Sequence, residues 1–471
     1  MSEIALWSLS ASELVAGYRA GDFSPGEALQ AVLGRMEAVN PAIKAVIACD
    51  AAGASAAAAA STERWRAGAP LSALDGVPLT VKDNLFVKGL CASWGSRAYE
   101  GFAPDADESA VARLRAGGAV IFGKTNVPEF TLQGYTGNAL FGTTRNPHAL
   151  DRTPGGSTGG GAAAVAAGIG ALAIGTDGGG SLRRPAAHCG LFALKPSIGQ
   201  VARHGGFPAI LADFEVVGPL GRSVADIAAA FELLCGYHPG DPRSLAALAP
   251  RRQLSSPPRI GYFRRVGAAP VDPGITVAAD AFAKALARDG CAIEPIEAPF
   301  DLEAINTAWG TVAATGLAWH LDKRPDLQGR LGANALAIAE TGRGKTTGQY
   351  LDALAFTGLV RTEAAATFER FDLLLCPATA ALAWPAAEAF PPFIDGQPVG
   401  PRGHAVFTGW MNIAGVPAAT LHIGMTGDSG GIGMQLVAGH GRDRALLEFM
   451  RNAPAIRALG TAGLTEGLPA S

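Results

Sequence analysis

GGSTGGGAAAVAAGIGALAIGTDGGGSLRRPAAHCGLFALKP, at residues 155–196, holds two serines, Ser157 and Ser181, that each stand among glycines. A small-residue run typical of a helix and a short apolar run at 171–174 separate them. Glycine lets backbone N–H groups approach a ligand closely and converge on it. One such loop is typical of a tight turn without chemistry, whereas two loops that flank one buried strand indicate a site.

The second loop, Gly178-Gly179-Gly180-Ser181, has the groups that acyl transfer requires. A serine hydroxyl attacks a carbonyl carbon, and preorganised N–H groups stabilise the resulting oxyanion in a water-poor pocket. The sequence therefore predicts that a nucleophile and its oxyanion hole come from this one turn.

Composition narrows the class of protein. The 471 residues are 48% hydrophobic, and 38 Lys and Arg against 41 Asp and Glu leave a net charge of −3. Without a block of like charge, a nucleic-acid or anionic-membrane surface is not indicated, and we expect a small-molecule partner. The beginning of the sequence lacks signal-peptide features and no run approaches a membrane span, which predicts a cytoplasmic protein. The six cysteines include no CxxC pair, which argues against structural zinc and against a disulfide scaffold.

Apolar runs alternate with helical patterns along the whole chain, and this alternation predicts an α/β fold. We expect a single large domain around one mixed, mostly buried sheet, with helices on both faces. Within residues 1–471 we expect N-terminal helices at 1–70, a core at 71–236, a linker-like crossing at 237–258 and a variable half at 259–471 that shapes the substrate site. Strands are predicted near 77–81, 119–122, 171–174, 259–263, 291–296, 372–376, 418–423 and 433–437. Helices are predicted from Ser10, from Ser24, at 51–60, 109–116, 223–235 and 275–288, over most of 302–370, and near Ala445.

Two motifs match a formula without its structural context. Residues 118–125 fit the phosphate-loop pattern GxxxxGK[ST], but the residues between the glycines form an apolar strand, so a nucleotide-binding protein is disfavoured. Residues 155–159 fit the GxSxG elbow of α/β-hydrolases, but no strand precedes them, which leaves an esterase of that type as an alternative only.

The long run at 155–196 strongly resembles the motif of the amidase signature family, serine hydrolases of C–N amide bonds. The resemblance extends to GVPLTVKDN at 76–84, GGAVIFGKTNVPEF at 117–130, FGTTRNP at 141–147 and GPLGRSVAD at 218–226. It covers most of the first half specifically, and the second half only near 412–417 and 433–436.

The resemblance implies the amidase signature fold and a Ser–Ser–Lys triad. Lys82 corresponds to the general base, Ser157 to a bridging serine that follows a cis peptide bond, and Ser181 to the nucleophile. The oxyanion hole would then be formed by the N–H groups of Gly178, Gly179, Gly180 and Ser181. Chemistry agrees, since a lysine acts as a base near neutral pH only when burial lowers its pKa. Only the family motif selects Lys82 over two other strand-end lysines, Lys124 and Lys195.

The sequence contains no recognisable cluster of metal ligands, and we expect no metal and no cofactor. The resemblance leaves the substrate open. Hydrolysis of a small carboxamide or an aryl or alkyl amide, through an acyl-enzyme, is our leading interpretation. A hydrolase of a urea derivative resembling biuret or allophanate is one alternative, and the A subunit of a glutamine amidotransferase is another. That subunit usually has Thr where this chain has Gly178, which weakly disfavours it. A homodimer and a partner subunit both stay open. We expect Asp177 and Arg183 to form a structural ion pair beside the nucleophile.

Overall fold

The first helices begin where the sequence places their caps. In the computed structural model, which describes residues 5–250, 252–427, 429–461, 463–465 and 468, the Ser10 side chain accepts from the Glu13 N–H and the Glu13 carboxylate accepts from the Ser10 N–H. Ser24 and Glu27 form the same reciprocal capping box, followed by Pro25 at the first helical position. Both predicted helix starts are confirmed.

Fourteen α-helices follow one another along the described part of the chain. They are α1 Ala11–Ala20, α2 Pro25–Ile43, α3 Ala51–Arg66, α4 Ser109–Ala116, α5 Gly159–Ala166, α6 Arg183–His188, α7 Val224–Leu234, α8 Pro273–Arg288, α9 Leu302–Asp322, α10 Ala333–Arg343, α11 Thr347–Arg370, α12 Gly409–Ala414, α13 Asp443–Asn452 and α14 Pro454–Arg457.

Eleven strands build one mixed sheet. They are β1 Val46–Cys49, β2 Pro78–Lys82, β3 Val120–Thr125, β4 Leu172–Asp177, β5 Phe192–Lys195, β6 Val216–Gly221, β7 Arg259–Tyr262, β8 Ala292–Pro295, β9 Leu373–Pro377, β10 Ala418–Thr426 and β11 Gly430–Ala438. Their order across the sheet is β1-β3-β2-β4-β6-β5-β10-β11-β9-β7-β8. The two halves of the chain meet where β5 pairs antiparallel with β10, so that one sheet runs through both.

Apolar side chains cover both faces of this sheet. On β9, Leu373 and Leu375 belong to one buried cluster, and the alternate residues Leu374 and Cys376 belong to another. Alternate residues of a strand point to opposite faces, so each cluster lies on its own face. The first cluster contains residues of α8 and the second contains residues of α9, which confirms a single α/β domain with helices on both sides.

Three strands of the eleven-stranded sheet were not predicted: Val46–Cys49, Phe192–Lys195 and Val216–Gly221. The first two have only four residues each, and the third contains Gly218 and Pro219, which weaken a strand pattern. The residues of the phosphate-loop formula instead include the fully buried strand β3, as its apolar sequence predicted. Within the described residues, no helix combines the length and apolar character needed to cross a bilayer.

Candidate active site

Two neighbouring strands deliver the predicted base and nucleophile to one edge of the sheet. Strand β2 ends at Lys82, and its parallel neighbour β4 ends at Asp177, directly before the loop that carries Ser181. Carboxyl ends of parallel strands open on the same edge, where a ligand crevice forms. The loop with Ser157 reaches the same place just before α5, and its peptide bond from Gly156 to Ser157 is cis.

Lys82 is completely buried and contacts the bridging serine. Its Nζ lies 2.8 Å from Ser157 Oγ, 2.9 Å from Thr176 Oγ1 and 3.2 Å from the Thr176 carbonyl oxygen. Burial lowers the pKa of Lys82 to about 7, against the opposing charges of Glu215 and Asp177. The amine is therefore partly neutral near neutral pH and is placed to accept a proton from Ser157.

Ser157 and Ser181 are held in adjacent loops. The Thr158 N–H donates to the Ser181 carbonyl oxygen at 3.1 Å, and Ser157 and Ser181 are 1% and 7% exposed. No residue in the described part of the chain forms a hydrogen bond with the Ser181 hydroxyl, which lines an open cavity. Gly156 is required here, because a Cβ on it would lie 2.3 Å from the Tyr135 carbonyl oxygen.

Hydrogen bonds hold the carbonyl groups of the nucleophile loop, the residues 178–181 that end at the predicted nucleophile. The Trp309 indole Nε1 donates to the Gly178 oxygen at 2.7 Å, and the Arg184 backbone N–H donates to the Gly180 oxygen at 2.9 Å. In a trans peptide the N–H points opposite to the C=O. These two anchors thus direct the N–H groups of Gly179 and Ser181 away from them, and no described residue accepts from either N–H.

The Gly180 N–H corrects one sequence expectation. It donates to Asp177 Oδ1 at 2.7 Å, and is therefore already used when the other loop donors are free. The physical reason lies in the Gly179 carbonyl, which belongs to the same peptide group as the Gly180 N–H. Thr408 Oγ1 and the Arg184 guanidinium both donate to the Gly179 oxygen, and this orientation of the peptide turns the Gly180 N–H towards Asp177. The oxyanion hole that we propose below accordingly omits Gly180.

Asp177 and Arg183 form the expected ion pair, at 2.9 Å and with both side chains fully buried. Burial alone would raise the pKa of Asp177, but the charge and hydrogen bonds of Arg183 lower it well below its usual range. Asn412 donates to Asp177, and Arg183 donates to Gln435. The pair holds the loop and makes no contact with the cavity.

A series of hydrogen bonds leads from Lys82 to the cavity wall. The Thr176 hydroxyl receives the Lys82 bond and donates to Glu215 Oε2 at 3.2 Å. The other carboxylate oxygen of Glu215 pairs with Arg203 at 2.9 Å. A negative charge thus stands one hydroxyl away from Lys82.

Neither alternative lysine reaches the serines. Lys124 Nζ donates to the carbonyl oxygens of Asp83, Leu85 and Cys91, and Lys195 Nζ donates to the Pro196 oxygen. Both are fully buried. Their contacts are those of structural lysines, which leaves Lys82 as the base candidate.

Ser181 opens into a cavity of about 280 Å³, a volume suited to a small ligand. The first half of the chain contributes the loop that carries Ser181 and residues 131–134. The second half contributes Trp309, Asn334, Ile338, Phe390 and Arg402. Sequence reasoning missed Arg184, Glu215, Trp309 and Arg402. Only Arg184 had a signal in the sequence, its place within the motif that follows Ser181.

Comparison with known proteins finds relatives over most of the chain. The model of the Amidase family matches residues 27–447. The A subunit of the glutamyl-tRNA(Gln) amidotransferase from Acidothermus cellulolyticus is 34% identical, with 91% of this chain and 90% of that protein covered. A bacterial aryl acylamidase of the amidase signature family has a TM-score of 0.86 at 27% identity, covering 96% of both chains. The 6-aminohexanoate cyclic dimer hydrolase has a TM-score of 0.83 at 27% identity, covering 99% of both chains.

Proposed function

Because this chain belongs to the amidase signature family, whose members here are C–N hydrolases and amidotransferase subunits, we propose that it hydrolyses a small carboxamide through a Lys82–Ser157–Ser181 triad. The observation that carries the proposal is the 2.8 Å contact between Lys82 Nζ and Ser157 Oγ, in a fully buried setting beside the Ser181 cavity.

The proton path begins at the lysine. Neutral Lys82 accepts the Ser157 proton, and Ser157 accepts the proton of Ser181 when the Ser181 hydroxyl turns towards it. The Ser181 oxygen then forms a bond with the amide carbon, and the carbonyl electron pair moves to the oxygen. The Ser181 hydroxyl forms no hydrogen bond with the described residues in the free protein. This agrees with the proposed proton transfer, since catalytic hydrogen bonds commonly form only when the substrate is bound.

The oxyanion is stabilised by the free donors of the loop. We assign the N–H groups of Gly179 and Ser181 to it, together with that of Gly178, and we leave out Gly180 because Asp177 holds its N–H. Donors fixed before the reaction stabilise the developing charge without reorganisation.

Collapse of the intermediate breaks the C–N bond. Ser157 gives a proton to the leaving nitrogen, ammonia or an amine departs, and Ser181 keeps the acyl group. Water then attacks the ester carbon along the same proton path, which releases the carboxylic acid and restores the triad. The second half of the chain, which supplies cavity-wall residues such as Trp309 and Arg402, selects the substrate.

A second candidate function is that of an amidotransferase component, which would release ammonia from glutamine for use by a partner. It is favoured by the 34% identity to the A subunit of the Acidothermus cellulolyticus glutamyl-tRNA(Gln) amidotransferase. A hydrolase of urea derivatives stays a third candidate. Purified chain that hydrolyses simple amides on its own supports the first function, whereas release of ammonia from glutamine only with a partner supports the second.

The test measures product release across primary amides, aryl amides, glutamine and urea derivatives, with Ser181→Ala, Lys82→Met and a control, Lys88→Met, at an exposed lysine. We expect the triad variants to lose activity by about 10⁴-fold or more, since such residues act as a unit. The control keeps wild-type activity.

A fluorophosphonate probe gives an independent reading of the same site. We expect it to label the wild type and Lys88→Met at Ser181, and not Ser181→Ala. If Lys82→Met kept more than about a tenth of the wild-type rate, the assigned base would be wrong.

A further inference from the structure

Two arginines in the cavity wall lack a carboxylate partner. Neither Arg184 nor Arg402 forms an ion pair with any described residue, whereas Glu215, also in the wall, pairs with Arg203. The Arg184 guanidinium is occupied by backbone oxygens of Gly156 and Gly179. Arg184 Nε also lacks a partner among the described residues, but Arg402 has more donors to spare, since only its Nε forms a hydrogen bond.

Arg402 is nevertheless held in one orientation. Its Nε donates to Asn306 Oδ1 at 2.9 Å, and its guanidinium carbon lies 4.1 Å from the centre of the Trp309 ring. Its Nη2 is buried beside Gly409 of α12, where an added Cβ would lie 3.2 Å from it, and its Nη1 forms no hydrogen bond with any described residue. Fixing a cation with an unused donor is costly unless a ligand supplies the acceptor, and a carboxylate accepts a strong, charge-assisted hydrogen bond from a guanidinium.

The position of Arg402 relates it to the reacting centre. Trp309, on which it stacks, also contacts the Gly178 oxygen at 2.7 Å, so a single indole separates the guanidinium from the loop of Ser181. The cavity of about 280 Å³ therefore spans both groups within the length of a small molecule.

Among the described residues that line the cavity, Glu215 is the one carboxylate, and Arg203 pairs with it. Burial and the charge of Arg184 lower the pKa of His404, another wall residue, well below its usual range, so its imidazole is neutral. Burial lowers the pKa of Arg402 to about 10, and it stays cationic at neutral pH.

We propose that the substrate is a small carboxamide that also carries a carboxylate, which Arg402 binds while Ser181 attacks the amide. This assignment rests on the proposed amide hydrolysis and names its substrate class.

The test compares matched pairs of amides that differ only in the carboxylate: succinamate with butyramide, and glutaramate with valeramide. We expect kcat/KM to be roughly 10- to 100-fold higher for the anionic member, as for a hydrogen-bonded charged group. Arg402→Met removes this preference by raising KM for the anion with little change in kcat, and Arg402→Lys restores part of it. The control is Arg370→Met, because Arg370 also stacks on an aromatic ring, that of Phe371, but pairs with Glu294. This variant keeps the wild-type preference for the anionic member.

A second measurement keeps the two proposals separate. Succinate and glutarate should slow fluorophosphonate labelling of Ser181 in the wild type and not in Arg402→Met, while the neutral diamides give no such difference. Labelling without carboxylate protection, or equal turnover of both members of each pair, overturns the carboxylate assignment and leaves the proposed hydrolysis intact. Absence of Ser181 labelling in the folded wild type overturns both.

Discussion

Replacement of Glu215 by Gln should move the pH dependence of the nucleophile. The Glu215 carboxylate is linked to Lys82 through one hydroxyl, by contacts of 2.9 and 3.2 Å, which puts the two charges no more than about 6 Å apart. A negative charge there favours the ammonium form of Lys82 and so raises its pKa. Removing that charge lowers the pKa further, while Gln keeps the size and an oxygen that accepts from Thr176.

The magnitude follows from that separation. Two unit charges about 6 Å apart interact by about 3 kcal/mol at an effective dielectric constant of 20, which is about two pKa units. Arg203 neutralises part of the Glu215 charge, and we take the net effect as about one unit. The wild type, with the pKa of Lys82 at about 7, should lose reactivity tenfold per pH unit below that value. The variant should begin to lose it about one unit lower.

The assay is the second-order rate of fluorophosphonate labelling of Ser181 between pH 5 and 9, which needs no known substrate. Glu363→Gln, at an exposed glutamate of α11, is the control and should follow the wild-type curve. If Glu215→Gln had the wild-type inflection with an unchanged plateau, Lys82 would not be the titrating base, and the proton path proposed here would be refuted.

Two further variants test the support of the nucleophile loop. Trp309→Phe loses the hydrogen bond to the Gly178 oxygen and should lower kcat about tenfold with KM nearly unchanged. The control Trp319→Phe, at an exposed tryptophan on the same helix, should have no effect. An equal loss of kcat in both variants would contradict the role of Trp309 in holding the loop. Asp177→Asn leaves Arg183 buried without its counter-ion and should lower the free energy of unfolding in urea by about 3–5 kcal/mol. Asp322→Asn breaks an exposed pair and should cost less than about 1 kcal/mol; an equally small cost for Asp177→Asn would count against a structural pair.

The sequence revealed what lies close together along the chain. The starts of the first helices, the presence of β2 and β4, and the Asp177–Arg183 pair each depend on residues that are close together in the sequence, so their patterns survive in a single sequence. The strand Val216–Gly221 was missed because a pairing partner, and not its own composition, makes it a strand.

The cavity wall was beyond such reasoning. Trp309 contacts a loop 131 positions away in the chain, and Arg402 meets Asn306 across 96 positions. Nothing near either residue in the sequence marks it as part of the site. The use of the Gly180 N–H was equally hidden, since it depends on Thr408, which is 229 positions from the Gly179 oxygen that it holds.

These distant contacts also determine at which point of translation the site can be completed. Lys82, Ser157 and Ser181 are all translated before residue 200, but Asn412 and Gln435, which bond to the Asp177–Arg183 pair, come more than 200 residues later. A nascent chain that stops short of them has a buried ion pair with unsatisfied polar groups and a nucleophile loop without its anchors. We therefore expect the site to be completed only when almost the whole chain has emerged, and truncated products to carry every residue of the proposed triad without activity.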